Sequence, residues 1–99
     1  MTKTFIITPQ AQKDFESGYG WYEEQYRGLG REFARCVDTK IAELRRNPEH
    51  FQIIYKSQVR RALVFRFPYA VYFVDKPDVL SIFAIQRQSR NPELWQSRI

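Results

Sequence analysis

The spacing of apolar residues changes period once along this chain, and the change falls at Asn47-Pro48. Upstream, Ala11, Phe15, Tyr19, Tyr22 and Tyr26 recur at steps of four, four, three and four. Phe33, Val37, Ile41 and Leu44 follow at four, four and three. Each series traces one stripe on a helix of 3.6 residues per turn. Downstream the pattern becomes period two, the signature of strands. Helices that come first and strands that follow as a meander form separate layers, so the expected class is α+β. The expected order is an N-terminal strand, then an antiparallel helix hairpin packed on one face of a mainly antiparallel sheet.

Local signals place the boundaries. Residues 1–7, ending in Phe5-Ile6-Ile7, read as a short strand. Thr8-Pro9 is a helix start, a hydroxyl N-cap followed by proline at the first helical position. Gly18 and Gly20 interrupt the first stripe, and Gly28 and Gly30 mark a turn between two helices of roughly 18 residues. Glu32 near the start of the second helix and Arg45-Arg46 near its end match the polarity of a helix dipole. Pro48 stops it, because Asn47 is pushed out of helical geometry.

From Val59 to Phe67 alternation puts Arg61, Leu63, Phe65 and Phe67 on one face and Arg60, Ala62, Val64 and Arg66 on the other. Ala70 to Val74 forms a second strand, Lys76-Pro77-Asp78 a turn, and Val79 to Ile85 a third strand. Asn91-Pro92 closes the strand region, and Glu93-Leu94-Trp95 starts a terminal helix or turn. The face carrying the arginines is expected to look toward solvent or a partner.

Composition narrows the classes. The chain has 99 residues, 43% hydrophobic and 16% aromatic. That is one domain over residues 1–99, with one core, and too apolar for a disordered tail. Residues 1–50 hold eight Lys/Arg and eight Asp/Glu, so their formal charge cancels. Residues 51–99 hold eight Lys/Arg against three Asp/Glu and carry all of the net +5. Arg outnumbers Lys eleven to five, and a guanidinium is the fork that matches phosphates and carboxylates. The one cysteine, Cys36, and the absence of Cys/His spacing for zinc argue for a reducing compartment and no metal or cofactor. With no signal-like N-terminus and no apolar run beyond Ala70 to Val74, a cytoplasmic domain without a membrane segment is expected.

The candidate binding residues are basic. Arg60 and Arg66 share a parity, and Arg87 and Arg90 follow a strand end, so the four are candidates for a phosphate or acidic-partner site, with Lys56 nearby in sequence. The competing reading is a solvated face with salt bridges to the acidic second helix. Arg61 is assigned to the other face, where it would snorkel or pair with a helix carboxylate. His50 stands alone in a loop, and Cys36 lies at the edge of the second stripe. Trp21 is off the first stripe and is a candidate contact residue. Adjacent carboxylates such as Glu23-Glu24 cannot converge as an acid–base pair on a helix.

Six segments then occur in a telling order: Trp21-Tyr22-Glu23, Leu29-Gly30-Arg31-Glu32-Phe33, Leu44-Arg45-Arg46-Asn47-Pro48, Val59-Arg60-Arg61, the run from Phe67 to Phe73, and Arg90-Asn91-Pro92-Glu93-Leu94-Trp95. Together they resemble the ParE/RelE superfamily of type II toxins, the plasmid-stabilisation proteins, over essentially the whole chain. The resemblance implies a bacterial toxin neutralised by a cognate antitoxin, whose partly disordered segment wraps it. It also implies one of two mechanisms. RelE-like members cleave messenger RNA on the ribosome with Lys, Arg and a C-terminal Tyr; ParE-like members poison DNA gyrase by binding.

In the nuclease reading the cations would be Lys56, Arg60, Arg66, Arg87 and Arg90. No Tyr follows Tyr72, and Trp95 stands where a RelE-like tail would offer one. Indole cannot replace phenol in proton transfer, and guanidinium stays protonated. The expectation is therefore a gyrase poison, with Arg60, Arg66, Arg87, Arg90 and Trp95 meeting target or antitoxin. The alternatives are a ribosome-dependent endoribonuclease and an inactive relative that only binds its antitoxin.

Overall fold

The computed structural model describes residues 3–99, so the start of the expected first strand lies outside the described residues. Strand β1 (Thr4–Ile7) leads into helix α1 (Pro9–Gln25), helix α2 (Leu29–Arg46) and a 3₁₀ turn at Pro48–His50. Strands β2 (Ile53–Tyr55), β3 (Val59–Leu63), β4 (Tyr69–Asp75) and β5 (Val79–Arg87) follow, and a short helix α3 (Glu93–Gln96) ends the fold. The sheet order is β1-β5-β4-β3-β2. β1 runs parallel to β5, and the other pairs are antiparallel. The α+β class and the helix hairpin on one sheet face are as the sequence predicts. Strand β2 was not anticipated, since three residues are too few to show a period.

Helix boundaries follow the capping residues. The Thr8 hydroxyl accepts from the Ala11 N–H at 3.2 Å, with Pro9 in the first turn. The hairpin turn spans Tyr26 to Gly28, and of the two glycines read there only Gly28 lies in it, at φ +91°, a left-handed conformation that glycine adopts without strain. Gly30 lies inside α2 and not in the turn. The α2 N-terminus is capped from across the hairpin: Glu23 accepts from Gly28 N–H at 3.0 Å and Gly30 N–H at 3.0 Å. These two bonds hold the Glu23 carboxyl below its ordinary pKa.

The second stripe is core as read. Phe33, Val37 and Leu44 are fully buried, and Ile41 packs against them. The first stripe needs correction. Ala11 and Tyr22 are buried, but Tyr19 is 38% exposed, and Tyr26 is 74% exposed just past the end of α1. Gly18 takes the missing place. A Cβ there would lie 2.9 Å from the Phe33 ring and 3.2 Å from the Tyr69 hydroxyl. Gly30 is equally tight, since its Cβ would meet the Tyr19 carbonyl at 2.8 Å. Gly18 and Gly30 thus set how closely α1 approaches α2 and the sheet, while Gly20 has open space around its Cβ position. Around them Phe33 packs at 5.2 Å from Tyr22 and 4.8 Å from Tyr69 between ring centroids.

The sheet has a second, smaller core on its other face. Val59, Ala70, Tyr72, Phe83, Ala84 and Trp95 are buried together there, under the C-terminal segment. That face was expected to be open. It is covered because Trp95 stacks on Tyr72 at 4.7 Å and meets Tyr55 edge-on at 5.4 Å. The membership of each face depends on one bulge. Opposite Tyr72 and Phe73 the β5 partners jump from Ala84 to Ile82, leaving Phe83 as an extra residue. Beyond it the parity of β5 reverses. Leu80, Ile82 and Ile85 face the helices, while Phe83 and Ala84 face Trp95.

Candidate functional site

The bulge decides where Arg87 points. With strict alternation from Leu80, Arg87 would face away from the helices; with one residue inserted it turns under α1. Its guanidinium lies over the Trp21 ring at 5.0 Å and the Tyr69 ring at 5.9 Å, two cation–π contacts that fix the fork. The Tyr22 hydroxyl adjoins it. Burial raises that phenol's pKa, and Arg87 partly opposes the rise. Arg90, in the turn after β5, lines the same cleft together with Ser17, Tyr69 and Ile85. The cleft holds ≈ 100 Å³, and a groove bordered by Trp21 shares Ser17, Tyr69, Arg87 and Arg90 with it. Gln86 lines it as well; it is 4% exposed, and its Oε1 has no hydrogen-bond partner.

The one carboxylate in the cleft is spent. Asp14 pairs with Arg98 at 2.6 and 3.1 Å and accepts from the Ile85 N–H at 3.0 Å. Neither Arg87 nor Arg90 is in an ion pair among the described residues. The cleft is therefore a fixed, net-cationic recess with aromatic walls. Such a recess suits an anionic oxygen group more than it suits proton transfer.

The remaining sequence candidates are dispersed. Arg60 sits opposite Phe73, on the helix side of β3, and its Nη1 donates to the Phe51 carbonyl at 2.6 Å. The expectation that Arg60 looks outward with Arg66 fails for two reasons: the parity Arg60 shares with buried Ala62 is the helix side, and β3 stops at Leu63, before Arg66. Arg66 lies in the following bend at φ +73° and pairs with Glu32 of α2 at 3.3 Å. Lys56 is in the β2–β3 turn, over the Tyr55 ring at 5.3 Å. Three strand spacings, roughly 14 Å, separate β2 from β5. Trp95 is 6% exposed and forms part of the second core.

Arg61 carries the opposite correction. It sits opposite Tyr72, on the face covered by Trp95, and not beside a helix carboxylate. Burial raises the Tyr72 pKa, and the Arg61 guanidinium acts against the rise. Leu63 and Phe65, on the face read as apolar, are 47% and 73% exposed, while Ala62 and Val64 are core. Sequence reasoning also passed over Tyr69, Ser17 and the Asp14–Arg98 pair. Asp14 lies one turn after Ala11 and one residue before Phe15, a position next to the buried stripe, which is the one hint the sequence offered.

A helix hairpin laid on a mixed five-stranded sheet, with a cationic recess at one strand end, is a small two-layer α+β domain. The solved structure "Chromosomal ParDE TA system from P. aeruginosa" has the same fold, with a TM-score of 0.76 and 17% identity. The match covers 86% of this chain and 95% of that one. The archaeal RelE-RelB complex from Pyrococcus horikoshii OT3 is 18% identical over 92% of this chain and 100% of that one, with a TM-score of 0.49. No curated protein sequence matches significantly. The family model for the ParE toxin of the type II toxin-antitoxin system parDE matches residues 5–92. The chain belongs to that family of ParE toxins. No helix among the described residues is long and apolar enough to cross a membrane.

Proposed function

We propose that this chain is a toxin that stops growth by binding DNA gyrase in the cytoplasm, and that a cognate antitoxin neutralises it by covering its basic cleft. The dispersal of the cations supports binding over cutting. Cleavage of a phosphodiester at the 2′-hydroxyl needs a base, an acid and cations converging on one phosphate. Of Lys56, Arg60, Arg66, Arg87 and Arg90, only the last two line a common cleft. Arg60 and Arg66 are committed to Phe51 and Glu32, and the cleft's carboxylate to Arg98.

The test pairs two assays on the purified chain. Inhibition of gyrase supercoiling, with cleaved plasmid trapped and relieved by the co-encoded antitoxin, is the expected result. Site-specific cutting of messenger RNA in a translating ribosome mixture, with gyrase unaffected, overturns it in favour of a RelE-like nuclease. Expression without any effect on growth leaves only a chain that binds its antitoxin, and also overturns it.

A further inference from the structure

We infer that the chain touches the DNA that gyrase holds: a phosphate of an unpaired strand enters the recess between Arg87 and Arg90, and the neighbouring base stacks on Trp21. Where such a strand is met rests on the gyrase reading above. How it is held rests on the cleft.

The site has two compartments. The recess holds ≈ 100 Å³ between Ser17 of α1, Tyr69 of β4, Arg87 of β5 and Arg90 of the turn beyond it. Guanidinium forks and hydroxyl groups on separate walls match a tetrahedral oxyanion, which accepts from several sides; a flat carboxylate with two oxygens uses them less fully. The groove beside it holds ≈ 340 Å³, shares those residues and adds Trp21. A free phosphate leaves this second space empty, and a nucleotide fills both. Trp21 supplies the stacking surface. The Trp21 and Tyr22 rings meet edge-on at 5.0 Å, the Arg87 guanidinium covers one indole face at 5.0 Å, and the residue is still 47% exposed. A base on the other face completes a stack of guanidinium, indole and base. Phosphate and base contacts are thereby coupled, because the ring that meets the base also fixes the fork that meets the phosphate.

Three features favour an unpaired DNA strand over other anionic polymers. β5 is shut as an edge at Ile85, which is 2% exposed and whose N–H donates to Asp14 at 3.0 Å. A ligand here meets side chains, the groups that bind phosphates, and not the main-chain ladder that an added peptide strand requires. Asp14 is the one carboxylate of the recess and the acceptor that a ribose 2′-hydroxyl would use, and it is paired with Arg98. Bases of a closed duplex stack on one another, so only an unpaired stretch, as at a strand break, offers a face to Trp21. The chain's net charge of +5 supplies the attraction.

The test follows fluorescein-labelled oligothymidine of about 12 nucleotides binding to the full chain by anisotropy, in about 0.15 M salt. An unlabelled strand should quench the emission of Trp21 and spare that of Trp95, which is 6% exposed. Arg87→Gln and Arg90→Gln should each weaken binding about tenfold and reduce the slope of log affinity against log salt by about one. Trp21→Ala should weaken it about tenfold, and Trp21→Phe, which keeps a ring, should recover part of the loss. Arg46→Gln on α2 should stay within about twofold. Affinity unchanged in both arginine variants of the cleft, or an equal loss in Arg46→Gln, overturns the site. Gyrase supercoiling assays on the wild-type chain separate the two readings. Inhibition of gyrase without strand binding overturns the site and leaves the gyrase reading standing. Strand binding with the expected variant pattern, and gyrase unaffected, upholds the site and overturns the gyrase reading. Oligouridine bound about tenfold more tightly than oligothymidine assigns the cleft to RNA. Polyglutamate of equal length bound as tightly as the strand assigns it to an acidic peptide. Either result overturns the inference.

Discussion

Asp14 of α1 and Arg98 of the C-terminal segment meet at the edge of β5 and close it together. Asp14 accepts from the Ile85 N–H and Arg98 donates to the Phe83 carbonyl, while the two side chains pair at 2.6 Å. Residues 84 positions apart thereby stand in for the strand that β1 is too short to supply. Removing either one leaves a partly buried charge and an unmet main-chain group. Arg98→Ala is expected to lower stability by about 1–3 kcal/mol, read from urea unfolding. Amide exchange should rise first in residues 93–98, because the tail loses its anchor. A stability equal to wild type would show that the pair is incidental.

The two glycines of α1 that look alike in sequence are expected to respond with opposite signs. Gly18→Ala drives a methyl into the Phe33 ring and the Tyr69 hydroxyl, and overpacking of this kind costs about 1–3 kcal/mol. Gly20 has open space around its Cβ position, so Gly20→Ala should stabilise by roughly 0.5–1 kcal/mol through helix propensity. Thermal melts of both variants decide this, and a common sign would contradict the packing.

Glu23 makes part of the hairpin's stability depend on pH. Its pKa is lowered in the folded chain, chiefly by the Gly28 N–H and then by the Gly30 N–H, against the cost of desolvation. A carboxyl with a depressed folded pKa stabilises fully above its unfolded value and loses that contribution as pH falls through the folded value. Glu23→Gln should therefore lower the melting temperature at neutral pH. The gap to wild type should narrow as pH falls below about 4.5. A gap that is constant from pH 7 to about pH 3 would remove the carboxylate from the cap.

Sequence pattern made the helices legible because each buries one stripe, and a stripe needs no partner to be recognised. Thr8, Pro9 and Pro48 fixed the ends for the same local reason. What stayed hidden depends on pairs far apart in sequence. The bulge at Phe83 reverses the parity of β5, and only the register against Tyr72 and Phe73 shows it. That single residue turns Arg87 toward Trp21. β3 ending at Leu63 turns Arg66 toward Glu32, and Ala62 marks the inner face more truthfully than the larger Leu63 does. The net charge of the second half was legible; its division among Phe51, Glu32, Asp14 and the cleft was not.

The two tryptophans separate folding from binding. Trp95 is 6% exposed, stacked on Tyr72 and edge-on to Tyr55, so it closes the second core. Trp95→Ala is expected to cost about 3–5 kcal/mol and to strip protection from β4 and β5. Trp21 is 47% exposed, with one ring face toward Arg87 and its edge toward Tyr22 at 5.0 Å. Trp21→Ala should change stability by no more than about 1 kcal/mol while freeing the Arg87 guanidinium to move. Calorimetry with the antitoxin should then show weaker binding by Trp21→Ala at nearly unchanged melting temperature. If binding is lost only when the melting temperature falls, the cleft's aromatic wall serves the fold, and Arg87 needs no support from it.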